Sequence, residues 1–151
     1  MANTQAMCTS FKSEILSGIH ALGTTVTRAG TGADTIKAAL YLASATVNAA
    51  TTAYSVTGEV SGAGYSAGGV TATNATAPTS SGTTAYWTPS ASFTYTTVTL
   101  TTSFDCVLVY NSTQSNKAIS VHTFGAQTIT AGTFVLSMPT NDASNALIRI
   151  A

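Results

Sequence analysis

Residues 92 to 124 read SFTYTTVTLTTSFDCVLVYNSTQSNKAISVHTF, and no other run constrains the fold as much. Its β-branched and aromatic side chains lose rotamer freedom against a helical turn but pack well on a pleated surface. SFTYTTVTLTT is strand-like throughout. Cys106 to Tyr110 is a continuous apolar strand, a polar loop follows, and the chain returns over Ala118 to Phe124, so a hairpin is expected. QTITAGTFVLSM reads as a second hairpin, with Ala131-Gly132 at the turn and the glycine supplying positive φ. NALIRIA is a last short strand with Ile148 and Ile150 on one face.

Upstream the β signal is weaker. Ile36, Ala38, Leu40 and Leu42 alternate with Lys37, Ala39, Tyr41 and Ala43, the period of a half-buried strand. The Thr/Ala-rich residues 44–58 fit either a loop or irregular strand, and residues 70–76 fit a weak strand. TTVTRAGTGADT and NATAPTSSGTTA have the composition of loops. One segment has helical period. In CTSFKSEILSGIHALG, Phe11, Ile15, Ile19 and Leu22 recur at spacings of four, four and three, and Leu16 joins the stripe. Thr9 or Ser10 is the expected N-cap and Gly23 the expected C-cap. The expectation is a mainly β protein: one β-sandwich or small barrel over residues 1–151, with residues 1–23 an N-terminal segment and α-helix.

Charge is scarce. Only 7% of the residues are Asp, Glu, Lys or Arg, and they balance to zero, against about a quarter in ordinary globular chains. With 44% hydrophobic residues the chain lacks the low hydrophobicity and high net charge of disorder. A monomer of this mass exposes roughly 7,000 Å², more than ten ions can cover. Neutral surfaces promote association. Part of this one is therefore expected to be buried against other subunits; the alternative is a monomer wetted by hydroxyls.

The balance also argues against nucleic acid, because no basic run is present to release counterions. No apolar run approaches the ~20 residues of a membrane-spanning helix. MANTQAMCTSFK lacks the basic start and apolar stretch of a signal peptide, so synthesis and retention in a cytoplasm are expected. There Cys8 and Cys106 are expected as buried free thiols, with a disulfide between them the alternative.

Motifs of catalysis match in wording but not in context. EVSGAGYSAGGV contains G-x-G-x-x-A at Gly62, Gly64 and Ala67, yet no helix-forming sequence follows and no acidic residue lies between Glu59 and Asp105. It reads as a bent loop or bulge where glycine lets two backbones approach. GYSAG sets Ser66 in the nucleophile position of G-x-S-x-G, without the strand-to-helix turn an elbow needs. His122, Asp105 and one of many serines form only a nominal triad. His20 and His122 have no metal-ligand spacing, so zinc is not expected. Glu14, Asp34, Glu59, Asp105 and Asp142 include no close pair for a glycosidase dyad. The sequons at Asn74 and Asn111 read as chance. Tyr86 and Trp87 fit either a core strand or a surface platform for sugars or a partner.

Several segments together carry a resemblance. NTQAMCTSFKSEILSGIHAL, then IKAALYLASATVNAATTAYSVTGEVSGAGYSAGGV, then VLVYNSTQSNKAISVHTFG and the terminal NALIRIA resemble small virion structural proteins of tailed bacteriophages, a group that includes capsid decoration (cement) proteins and some tail components. The resemblance implies a non-enzymatic protein without metal or cofactor, made in the host cytoplasm and resident on the virion. It implies copies of itself, often as trimers, and the major capsid protein as partners, with tail proteins or host glycans the alternative. Residues expected to dock are Phe11, Ile15, Ile19 and Leu22 of the N-terminal stripe, with Tyr86 and Trp87.

Overall fold

A computed structural model of the protein describes residues 2–23, 32–73 and 76–151. In chain order the elements are β1 (Ala6–Met7), α1 (Thr9–Leu16), β2 (Ile36–Leu42), β3 (Val70–Thr71), β4 (Thr79–Ser81), β5 (Thr84–Trp87), β6 (Phe93–Asn111), β7 (Lys117–Leu136) and β8 (Ile148–Ile150). They form two antiparallel sheets, ordered β1-β7-β6-β2-β3 and β4-β5-β8. The protein is mainly β, sandwich-like and not a closed barrel, with one short helix. The loop expected at TTVTRAGTGADT falls largely, and Asn74 of its sequon entirely, outside the described residues.

The long β6–β7 hairpin is the frame. β6 has 19 residues and β7 has 20, paired from Phe93↔Leu136 to Asn111↔Lys117. SFTYTTVTLTT and CVLVY are thus one strand. The second hairpin expected at Ala131-Gly132 does not form. Ala131 takes φ 48° and the register shifts there, but β7 continues, with Gly132 opposite Val98 and Phe134 opposite Tyr95. A single left-handed residue makes a bulge, whereas a primed hairpin turn requires the partner strand to lie on the other side. Thr97 at φ 53° is the matching bulge on β6.

β2 was expected to be half-buried, yet Ala38, Ala39, Leu40 and Tyr41 are all buried. Its alternation is mostly among apolar residues, so period two does not mark a wet face. β2 pairs β6 on one side. On the other it meets the glycine-rich segment, through Leu42 N–H to Gly58 O (2.9 Å) and Val60 N–H to Leu40 O (3.0 Å), before β3 rejoins it at Ala38↔Val70. Between those points the segment crosses to β6, where Ala63 pairs with Thr99. A Cβ on Gly62, Gly64 or Gly69 would meet a backbone oxygen at 2.0, 2.2 or 1.7 Å. The stretch that imitates a nucleotide motif is therefore an edge cover laid directly on strand backbone.

Part of the expected loop NATAPTSSGTTA is instead the β4–β5 hairpin, turned by Gly82 at φ 58°. The helix is shorter than the stripe predicted. Cys8 is its N-cap, and Gly18 at φ 67° ends it. Gly18 N–H bonds Ile15 O (3.0 Å) and Ile19 N–H bonds Glu14 O (3.0 Å), the paired pattern of a Schellman stop. Gly23 is not a cap; a Cβ there would meet Thr76 O at 2.6 Å. Leu16 leaves the buried stripe and is 90% exposed, while Phe11 is fully buried. Among the described residues no helix is long and apolar enough to cross a membrane.

Candidate functional site

Five of the six docking residues expected from sequence come together. Phe11 and Ile15 of α1, Leu22 beyond it, and Tyr86 and Trp87 of β5 line one apolar cavity of about 220 Å³, with His20 in its wall. The helix forms one bank and the small sheet the other. Ile19 does not line it, because the Schellman stop turns the chain before Ile19 can continue the stripe. Phe11, Leu22 and Trp87 are buried in the chain's own core, and Tyr86 is half-buried. Trp87 is 1% exposed and its indole Nε1 donates to Thr76 O (3.0 Å). It is the core residue of the two readings, and its ring is not a platform for sugars.

A polar cluster that sequence reading missed holds the helical bank in place. Lys117 at the start of β7 donates to Glu14 Oε1 (2.7 Å), and His20 Nε2 lies 2.8 Å from Glu14 Oε2. Asn111 Nδ2 contacts both His20 Nδ1 (3.0 Å) and Asp34 Oδ2 (2.7 Å). An amide NH₂ only donates, so His20 Nδ1 accepts and the proton sits on Nε2, aimed at Glu14. Burial pushes His20 below its usual range, against the opposing pull of Glu14. Burial works to raise Glu14, but hydrogen bonds from Lys117 and His20 outweigh it and hold the carboxyl below its usual range. These groups tie α1 to β6 and β7 across sequence gaps of up to 103 residues, and no local pattern announces that.

A second carboxylate is also spent on structure. Glu59 accepts from Tyr65 Oη (2.7 Å) and Gly68 N–H (2.8 Å) on Oε1 and from Tyr54 Oη (2.7 Å) on Oε2. Burial, then the bond to Glu59, pushes both phenols upward, so they stay protonated donors. This clamp pins the glycine-rich segment over β2.

His122 has a serine beside it, Ser120, but Asp105 is engaged elsewhere, and Ser66 of the G-x-S-x-G match is in a different recess. Ser66 lines a recess beside Thr94 and Tyr95, His122 lines another beside Met7 and Met138, and Asp105 accepts from Asn3 Nδ2 (2.6 Å). His122 Nε2 lies 2.8 Å from the buried Ser120 Oγ, and burial pushes its pKa down to about 4. Cys8 and Cys106 are free and buried, their thiols pushed up to about 11 and about 12 by burial. Among the described residues no group of His, Cys, Asp or Glu is arranged to hold a metal ion.

No protein-family model, no curated protein and no solved structure matches this chain.

Proposed function

We propose that the protein is a non-enzymatic structural subunit of a tailed-phage virion, working by burying surface against neighbours, and that its place is on the head as a decoration protein. The sequence resemblance supplies the identity of the particle. The observation that carries the mode of action is where the carboxylates lie. Glu14, Asp34 and Glu59, three of only five acidic residues, are buried. The exterior of 7114 Å² is left almost without anions, and Leu16, Val56, Val135 and Ile150 stand exposed on it. Joining such surfaces strips few ions of water, and desolvated ions are the main cost of a polar interface.

The sheet edge supports the same reading. On its outer side β7 is covered from Lys117 to Val121, by Ala53 at Lys117, by Thr52 and Cys8 at Ala118 and Ile119, and by β1 at Ser120 and Val121. Beyond that, among the described residues, no strand pairs the outer side of β7, and its outer stretch GAQTITAGTFVL contains neither charge nor proline. Such charges and prolines are what guard the edges of monomeric sheets. The reading therefore includes self-association, with a trimer as the expected form. Purified protein mixed with expanded capsids should co-sediment with them, and particles lacking it should break at lower temperature or lower salt. Recovery of the chain in isolated tails, with no binding to capsids, would refute the head assignment.

A further inference from the structure

The cavity behind Ile15 adjoins a groove. Ile15 and Ile150 line both. The groove, about 580 Å³, is completed by Met7, Lys12, Leu16 and Arg149. Its apolar floor is exposed to an unusual degree: Leu16 is 90% and Ile150 43% accessible. A leucine this exposed at the end of a helix covers nothing in its own chain. Lys12 and Leu16 are one turn apart, so charge and apolar side chain share one face of α1.

The charged side chains that line the groove, where the backbone of Ala151 also lies, are both cationic. Lys12 and Arg149 flank it, and no Asp or Glu side chain lines it. Lys117, the other cation near α1, is committed to Glu14. Asp142, on the loop before β8, directs its oxygens to Ser144 N–H and to the backbone and side chain of Asn145. Arg149 spends one N–H on Ser144 O, and its planar fork has four more. Among the described residues neither Lys12 nor Arg149 is in a contact ion pair, although Arg149 lies near enough to Asp142 for its charge to help hold that carboxyl below the usual range. Two cations at the rim of an apolar trough, in a chain with five in all, are a concentrated feature.

We infer that this groove receives an acidic amphipathic segment of a partner protein, its apolar side chains over Ile15, Leu16 and Ile150 and its carboxylates on Lys12 and Arg149. A short helix or turn with leucines three or four apart, and Asp or Glu beside them, has the matching pattern. The inference specifies the partner-binding surface of the assembly reading and rests on that reading, but its test needs no virion. Success here with failure of capsid binding would overturn the virion assignment alone.

The test is selection of a random twelve-residue peptide library on the whole immobilised protein, in parallel with the triple variant Lys12→Glu, Leu16→Asp, Arg149→Glu. The three side chains are solvent-facing, and circular dichroism checks that the variant is folded. The expected result is enrichment of peptides carrying Asp or Glu beside Leu, Ile or Phe on the wild type and not on the variant. By fluorescence polarisation, an enriched peptide should bind at least tenfold more weakly to Leu16→Asp. It should also weaken several-fold between 50 and 500 mM salt, as rim ion pairs do. Three results would overturn the inference: no enrichment, enriched peptides without acidic excess, or equal enrichment on the variant. So would self-association abolished by Leu16→Asp without peptide binding, which makes the occupant a second copy. Binding to vesicles of equal phosphatidylcholine and phosphatidylglycerol, lost in the variant and without peptide enrichment, would assign the groove to a membrane surface instead.

Discussion

Replacing Gly69 by alanine puts the glycine-rich cover under direct test. Gly69 has φ 68°, and a Cβ there would lie 1.7 Å from Ala38 O and 2.6 Å from Ala38 C. Left-handed backbone costs an L-residue about 1–2 kcal/mol. Relieving the overlap requires lifting residues 68–70 off β2. That breaks at least two of three bonds: Gly69 N–H to Ser66 O (2.9 Å), Tyr110 Oη to Gly68 O (2.8 Å) and Gly68 N–H to Glu59 (2.8 Å). At about 1 kcal/mol each, the total is about 3–4 kcal/mol, a fall of roughly 10 °C in Tm for a domain of this size. Two glycines serve as controls. Gly82 has φ 58° with open space around it, so Gly82→Ala should cost about 1 kcal/mol from backbone strain alone. Gly125 has neither a positive φ nor a neighbour within 4 Å, so Gly125→Ala should stay within about 0.5 kcal/mol of wild type. The single tryptophan, buried Trp87, reports unfolding by fluorescence in urea titrations. If Gly69→Ala and Gly125→Ala unfold at the same urea concentration with equal slopes, the close approach of the glycine segment to β2 is refuted.

Four further outcomes follow from the same contacts. Phe11→Ala empties a fully buried site under α1 and should cost about 3–5 kcal/mol, whereas Leu16→Ala, at an exposed site, should be near neutral in the same urea titration; equal losses would contradict the short helix. Glu59→Ala strands Tyr54, Tyr65 and Gly68 N–H and should cost about 3 kcal/mol or more, measured by thermal melting; a loss below about 1 kcal/mol would show that the clamp contributes little. His122 and His20 are both depressed when folded, so the unfolded chain binds more protons below the ordinary histidine pKa of about 6.5. Stability should therefore be complete above about pH 6.5 and fall toward about pH 4, where half-buried His122 accounts for at most about 2–3 kcal/mol; a His122→Asn variant with an unchanged pH profile between those limits would contradict its burial. Cys8 and Cys106 should resist a thiol reagent at pH 8 and react together only on unfolding, since burial holds both far above that pH; rapid native labelling would refute their burial.

Much of the fold was legible because strand pattern is local. The run from Phe93 to Tyr110, the return from Ala118 and the last strand at Ile148 carry their own β-branched and aromatic text, and they fold as strands. Of the six residues expected to dock, five line one cavity, but Phe11, Leu22 and Trp87 are spent on the chain's own core, which spacing alone did not reveal. Two errors came from treating local signals as sufficient. Ala131-Gly132 has turn composition but sits opposite an unbroken β6, so the partner strand converts it to a bulge. Gly23 has cap composition, but Gly18 reaches the left-handed conformation first and ends the helix.

What the sequence alone determined is the β class and the scarcity of ions, because composition and short periods act over a few residues. Only the tertiary structure decided which carboxylates turn inward, which backbone the glycines lie on, and that Lys12 and Arg149 flank the same trough. Those facts depend on contacts between residues such as Glu14 and Lys117, 103 positions apart. Distance along a chain sets the entropy of bringing two groups together; their chemistry, once together, is what the fold selects.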